Sequence, residues 1–224
     1  MGQKPGRPKS GQERLTRARI LSTALDLADA HGVEALNMRR LASTLGVDPM
    51  AIYHYVPNKR ALLAGITELA FDALQVPQAE DAGWQDLVRA FARSYRALIQ
   101  AHPQLVLHLV VDLEAGAGAI LQANEMLYAA LVETGLPPGL IAQAADLVVD
   151  YLHGIALAEG LQRARQPGEP QDLRQLLERY PAEQFPVQRR VFERMAADEP
   201  GTDAMSGLEI ILLGIEAVIA HYSK

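Results

Sequence analysis

The sequence predicts an all-α chain, and three observations carry that prediction. Apolar residues recur at i, i+3, i+4 and i+7 through nearly the whole chain, the spacing of one helix face. The 17 glycines and 13 prolines sit mainly between those periodic runs, where they punctuate them. No alternating apolar and polar run is long enough for a strand, and no segment repeats.

Residues 1–11 (MGQKPGRPKSG) read as a flexible basic arm. From Gln12 to Ala30 the apolar set is Leu15, Ala18, Ile20, Leu21, Ala24, Leu25 and Ala28, a first helix that His31-Gly32 stops. Gly32 suits a left-handed C-terminal cap. Asn37 stands where an N-cap belongs, ahead of a short helix with Leu41, Ala42 and Leu45 on one face. Gly46-Val47 breaks it. Asp48 caps the next helix and Pro49 takes its first position, with Pro57-Asn58 ending it. A longer helix runs from Lys59 to about Gln75, and the Pro- and Gly-bearing stretch 76–83 is a domain boundary. Further helices are expected at about 84–101, 103–112, 115–135, 138–164, 172–179, 187–198 and 204–222. Pro103, Pro137-Pro138, the 166–171 stretch and Pro200-Gly201 mark the breaks between them. Disorder is expected at the extreme N-terminus and near 166–171.

Charge is unevenly spread. The net formal charge is -6, yet the first 60 residues hold 10 Lys and Arg against 5 Asp and Glu, and the remainder 11 against 22. A basic head on an acidic body points to a head that alone meets a polyanion. The chain has no cysteine, which excludes a disulfide framework, a zinc finger and any thiol nucleophile. No uninterrupted apolar stretch approaches the roughly 18 residues of a membrane helix, and Met1 to Ser10 lacks the apolar core of a signal peptide. A soluble, cytoplasmic protein without a membrane partner is expected.

Between Asn37 and Tyr55 two short helices flank a tight turn, with buried-type residues at Leu41, Ala42, Leu45, Val47 and Ile52. Small Ala42 lets the helices cross closely, Gly46 accepts the positive φ of the turn, and Val47 fills the angle between them. That is the requirement of a helix-turn-helix. Arg19 to about Gly65 then resembles the DNA-binding domain of the TetR family of repressors. The shared features are Ala24, His31-Gly32, Arg39, Leu41-Ala42, Leu45-Gly46-Val47, Ile52-Tyr53-His54-Tyr55 and Asn58-Lys59-Arg60-Ala61-Leu62-Leu63, in that order. The expected architecture is an N-terminal three-helix helix-turn-helix DNA-binding domain over 12–58, a connecting helix over 59–75, and a larger helical ligand-binding and dimerisation domain over 76–224.

The resemblance makes Pro49–Val56 the recognition helix, lying in the major groove with its N-terminal residues near base edges. Met50 and Ala51 lead it and suit thymine methyls, while His54 suits a base-edge hydrogen bond. Tyr53 and Tyr55 would reach phosphates through their hydroxyls, and Lys59 would cap a further phosphate, as its position does in the family. Arg39 suits a bidentate phosphate or guanine contact, Asn37 offers its cap and nearby amides to another phosphate, and Arg40 reads as a solvated face residue. Arg7, in Gly6-Arg7-Pro8, is either a minor-groove hook or part of a solvated basic tail.

In TetR-type repressors the helical body dimerises and encloses a small-molecule pocket. Trp84-Gln85-Asp86-Leu87 with Ala92, Ser94 and Leu98, and Gly207 to Ile211 with Gly214 and Glu216, resemble the tetracycline-repressor branch. The drug-site positions depart from it: Gln75 replaces a histidine, Phe91 an asparagine, and His108 is shifted by one in register. The implied effector is a small, mainly apolar molecule among Phe71, Phe91, Tyr95, His108 and Tyr128, with no cofactor. His108 and Asp112 share a helix face, but two ligands are too few for a metal site, and none is expected. The apolar helices Leu140–Leu161 and Leu208–Ile219 read as a two-fold four-helix dimer interface, which a palindromic DNA operator requires. Neither a Gly-x-Ser-x-Gly elbow nor a phosphate-binding glycine loop is present, so no catalytic residue and no enzyme are expected. The expected function is a ligand-responsive repressor; the alternative is an orphan DNA-binding regulator without an inducer.

Overall fold

The computed structural model describes residues 14–75, 82–164, 170, 172–197 and 205–222. The basic arm with Arg7, and all but one residue of the 166–171 stretch, lie outside the described residues. Helices appear in the order α1 (Arg17–His31), α2 (Met38–Leu45), α3 (Pro49–Tyr53), α4 (Lys59–Phe71), α5 (Trp84–Ala101), α6 (Pro103–Val111), α7 (Ala117–Val132), α8 (Pro138–Ala164), α9 (Leu173–Leu177), α10 (Pro186–Ala197) and α11 (Ser206–Tyr222). There is no strand among the described residues.

Local chemistry sets the helix starts. Thr16, Asn37, Asp48 and Asn58 each turn a side-chain oxygen onto a backbone N–H of the first turn, those of Arg19, Arg40, Met50 and Ala61. Each cap satisfies a donor the helix leaves unpaired. Helix α1 begins at Arg17, later than periodicity placed it, with Thr16 as its cap. Helix α4 ends at Phe71, short of Gln75. Gly46 is left-handed (φ 68°, ψ 33°), as the turn demands. Gly32 differs from expectation: its φ is positive (81°) but its ψ is 154°, so the chain leaves α1 extended and enters a 3₁₀ turn over Val33–Ala35. A second 3₁₀ turn, Leu113–Gly116, separates α6 from α7. Periodicity missed both because three or four residues are too few to show a period.

The chain divides into two compact units, one of residues 14–73 with Gln104–Gln122, the other of Leu74–Pro103 with Ala123 onward. In the first, Ile20, Ala24 and Ala28 of α1, Leu41 and Ala42 of α2, Ile52 of α3 and Leu62 and Ile66 of α4 form the core. The Leu113–Gly116 turn packs on α4. Thr67, the buried polar side chain of that helix, donates its hydroxyl to the Leu63 carbonyl at 2.8 Å. Its methyl group faces Gly116 so closely that a Cβ there would lie 2.6 Å from Thr67 Cγ2 and 2.9 Å from Leu109 Cδ2.

In the second unit α5 packs on α8 and α8 on α11. Val88, Phe91, Ala92 and Leu98 of α5 and Val148, Leu152 and Ala156 of α8 are buried. Two polar ties join these helices: Arg96 pairs with Glu159 at 3.0 Å, and the Tyr95 hydroxyl meets His153 Nε2 at 2.8 Å. Arg89 forks onto both oxygens of Glu209 at 2.8 Å, tying α5 to α11. Helices α9 and α10 form a hairpin whose turn is held by Arg189, which donates to the carbonyls of Leu177, Tyr180, Pro181 and Gln184.

Gly116→Ala is expected to lower stability by about 1–3 kcal/mol in urea unfolding, through overpacking against Thr67 and Leu109. Thr67→Ser removes the clashing methyl, so the double variant should lose less than the sum of the two single losses.

Candidate functional site

Three constraints hold helix α3, the expected recognition helix, in place. Asp48 accepts the Met50 N–H at 2.8 Å, Pro49 fixes the first helical φ, and Ile52 anchors the helix in the core. The helix proper ends at Tyr53, and the turn continues through backbone bonds from Tyr55 and Val56 to the Ile52 carbonyl at 2.9 Å. With Ile52 and Val56 inward, the other side chains face outward: Met50 is 66% exposed and Tyr53 41%, His54 is exposed, and Ala51 is half-buried. An exposed methionine at the tip of a helix has no packing role, so its surface is free for a partner.

Around this helix Arg39 and Lys59 are exposed, and Arg40 is intermediate. Asn37 uses its side chain internally, with Oδ1 accepting from Arg40 N and Nδ2 donating to the Ala35 carbonyl, which shapes the α2 N-terminus. Tyr55 differs most from its sequence role. Its hydroxyl donates to the Leu15 carbonyl at 3.0 Å, tying the residues just before α1 to the turn that follows α3. That link joins residues 40 apart and left no signal in the sequence.

The residues expected to contact an effector fall in both units. In the first, Phe71 is buried, and His108 turns Nδ1 toward Glu34 at 3.6 Å while Nε2 is sealed with no hydrogen-bond partner among the described residues. A sealed polar atom without a partner costs on the order of 1–3 kcal/mol. In the second, Phe91 and Tyr95 are buried and stacked, with ring centroids 5.6 Å apart and planes 15° apart, and Tyr128 is half-buried on α7. Sequence reasoning missed His153, which meets the Tyr95 hydroxyl across α5 and α8. Burial pushes the Tyr95 phenol up to about 12. Burial also lowers His153 below its usual 6.5, opposed by Asp150 nearby. Both are therefore neutral near pH 7. Among the described residues no group of three or more His, Cys, Asp or Glu side chains forms a metal site.

Two family models match this chain: the bacterial regulatory proteins of the tetR family over residues 20–66, and the tetracyclin repressor-like C-terminal domain over 76–219. The chain belongs to the TetR family. It is thus a member of a family of transcriptional regulators, and the expected all-helical head-and-body architecture holds. The transcriptional repressor DrrR1 of Streptomyces coeruleorubidus is 40% identical over 106 residues, 45% of this chain and 38% of that protein. An HTH-type transcriptional regulator of Saccharopolyspora erythraea is 30% identical over 149 residues, 66% of this chain and 63% of that protein. The chain thus matches less than two thirds of the length of either relative. Among solved structures, Streptomyces coelicolor ActR in complex with actinorhodin superposes with a TM-score of 0.69 at 30% identity, covering 92% of this chain and 99% of ActR.

The polar pair of the body gives this TetR-family protein a defined pH response. Folded His153 takes up its proton at lower pH than the unfolded chain does, so the stability it contributes is present above pH 6.5 and is lost as pH falls through its lowered value. Tyr95 works in the opposite sense: its contribution is present below pH 10 and is lost as pH rises toward 12. Urea unfolding across pH should show both flanks. His153→Phe should flatten the acid one, and Tyr95→Phe the alkaline one.

Proposed function

We propose that the protein is a ligand-responsive transcriptional repressor that binds a palindromic operator as a homodimer and is released by a small, mainly apolar effector. The outward face of α3 carries the DNA half of the reading. A capped, core-anchored helix with Met50, Tyr53 and His54 exposed is flanked by Arg39 and Lys59 and by the N-terminus of α2 at Asn37. In this reading Met50, Ala51 and His54 read base edges; Arg39, Tyr53, Lys59 and the α2 amides hold phosphates; Tyr55 positions the arm that carries Arg7.

The homodimer is supported by an apolar groove between α8 and α11. It has a volume of about 340 Å³ and is lined by Leu140, Ala144, Leu147, Ile211, Gly214 and Val218 among others. Leu147, Leu157 and Leu161 of α8 and Ile210 and Leu213 of α11 are exposed, large apolar side chains that a second copy would cover. Helix α8 is long and apolar enough by length and composition to cross a membrane. Burial against α5 and α11 on one side and against a second copy on the other accounts for that apolarity.

The effector half is supported by the solved complex of ActR with actinorhodin, and by the aromatic residues Phe91, Tyr95 and Tyr128 of the second unit of this chain. Bound effector would favour a body conformation whose two heads no longer match successive major grooves about 34 Å apart.

Selection from random duplex DNA should enrich a palindrome whose affinity falls steeply with salt; enrichment of no sequence at low salt would overturn the reading. On the selected duplex, Lys59→Ala should weaken all sequences alike and reduce the salt slope by about 1 per head. His54→Ala should relax one position by about 1–3 kcal/mol. Leu147→Glu should halve the mass seen by light scattering, keep the helical circular dichroism, and lower palindrome affinity toward non-specific binding, about 10³-fold or more.

A further inference from the structure

The α5–α8 contact holds a polar pair inside an apolar surround, and its chemistry is only half used. Phe91 and Tyr95 stack, the Tyr95 ring centroid lies 5.8 Å from that of His153, and the Tyr95 hydroxyl meets His153 Nε2 at 2.8 Å. Val88, Ala92, Val148, Leu152 and Ala156 are the buried neighbours along the two helices. A phenol is the better proton donor and an imidazole nitrogen the better acceptor, so the bond runs from Tyr95 O–H to Nε2. The ring's own proton then sits on Nδ1, because a neutral imidazole carries one N–H and one lone pair. Among the described residues Nδ1 has no hydrogen-bond partner, and it is not one of the sealed side-chain atoms. Tyr95 thus aims a single N–H donor into accessible space beside apolar surface.

We propose that His153, oriented by Tyr95, is the hydrogen-bond donor that fixes the effector, and that the effector is an apolar ring compound carrying a carbonyl acceptor. The assignment rests on the effector-responsive reading above and adds its ligand chemistry. Sites of this kind bury most of a ligand against apolar side chains and use a few placed polar groups for orientation. A donor fixed by tautomer accepts a ketone or quinone oxygen and rejects the same ring without one, because binding the latter leaves the N–H desolvated and unpaired. Burial keeps the imidazole uncharged near neutral pH, and Asp150, the acidic group that acts on it, opposes that effect. An uncharged donor suits a neutral carbonyl better than a carboxylate.

The test uses the full chain and a matched pair of probes, menadione, which has two ring carbonyls, and 2-methylnaphthalene, which has none. Calorimetry should show menadione binding at least about tenfold tighter than 2-methylnaphthalene. His153→Leu should remove that preference by weakening menadione alone, and His153→Gln, which keeps an N–H donor, should restore most of it. In ¹⁵N spectra the imidazole should show its proton on Nδ1, with that nitrogen shifting on addition of menadione and not of 2-methylnaphthalene. Equal binding of the two probes, no binding of menadione, or a preference that survives His153→Leu would each overturn the proposal. Operator release is scored separately. Menadione held through His153 without displacing DNA would overturn the effector reading and leave the binding site standing, whereas displacement independent of His153 would overturn the site and leave the reading.

Discussion

The contact between Gly116 and Thr67 is the constraint on which the head depends. Helices α2 and α3 have eight and five residues, too short to be stable from their own hydrogen bonds. They hold their shape because α1 and α4 bury a common core with them. Helix α4 in turn has a second apolar flank, closed by the Leu113–Gly116 turn. That closure needs a residue without a side chain at 116 and a short branched one at 67, with the Thr67 hydroxyl satisfied inside its own helix. The unit that carries the recognition helix is therefore built from two separate stretches of chain.

Helix α6 belongs to the same closure. Gln104 lies by Gly32, and His108 turns toward Glu34, so α6 runs along the Gly32–Ala35 turn that leads into α2. The extended ψ of Gly32, where sequence favoured a left-handed cap, sends the chain into the Val33–Ala35 turn beside these two α6 residues. The Tyr55 bond to Leu15 does similar work at the other end of the head, tying the residues just before α1 to the turn after α3.

The body solves a different problem. Its interior is apolar, and among the described residues an ion pair and a phenol–imidazole pair join α5 to α8. Such pairs add little to stability compared with apolar contacts of the same volume, but they fix register and leave defined polar valences. In the effector-responsive reading proposed above, those valences are where discrimination between small molecules would arise.

Much of this was legible in the chain itself. Four helix starts in the head were set by side-chain caps, and two of them, Asn37 and Asp48, were readable as such because their donors lie within three residues. The helix-turn-helix was legible for the same reason, since Ala42, Gly46 and Ile52 act within one turn of each other. The apolar faces of α8 and α11 were visible through their period. What only the tertiary structure decided involves residues far apart in sequence: Gly116 against Thr67, His108 toward Glu34, Tyr55 on Leu15 and Tyr95 on His153. Periodicity and capping report on neighbours a few residues away, whereas a polar side chain's partner is chosen by how helices cross. Sequence therefore determined the elements and their exposed faces, and packing decided which polar groups remained available for function.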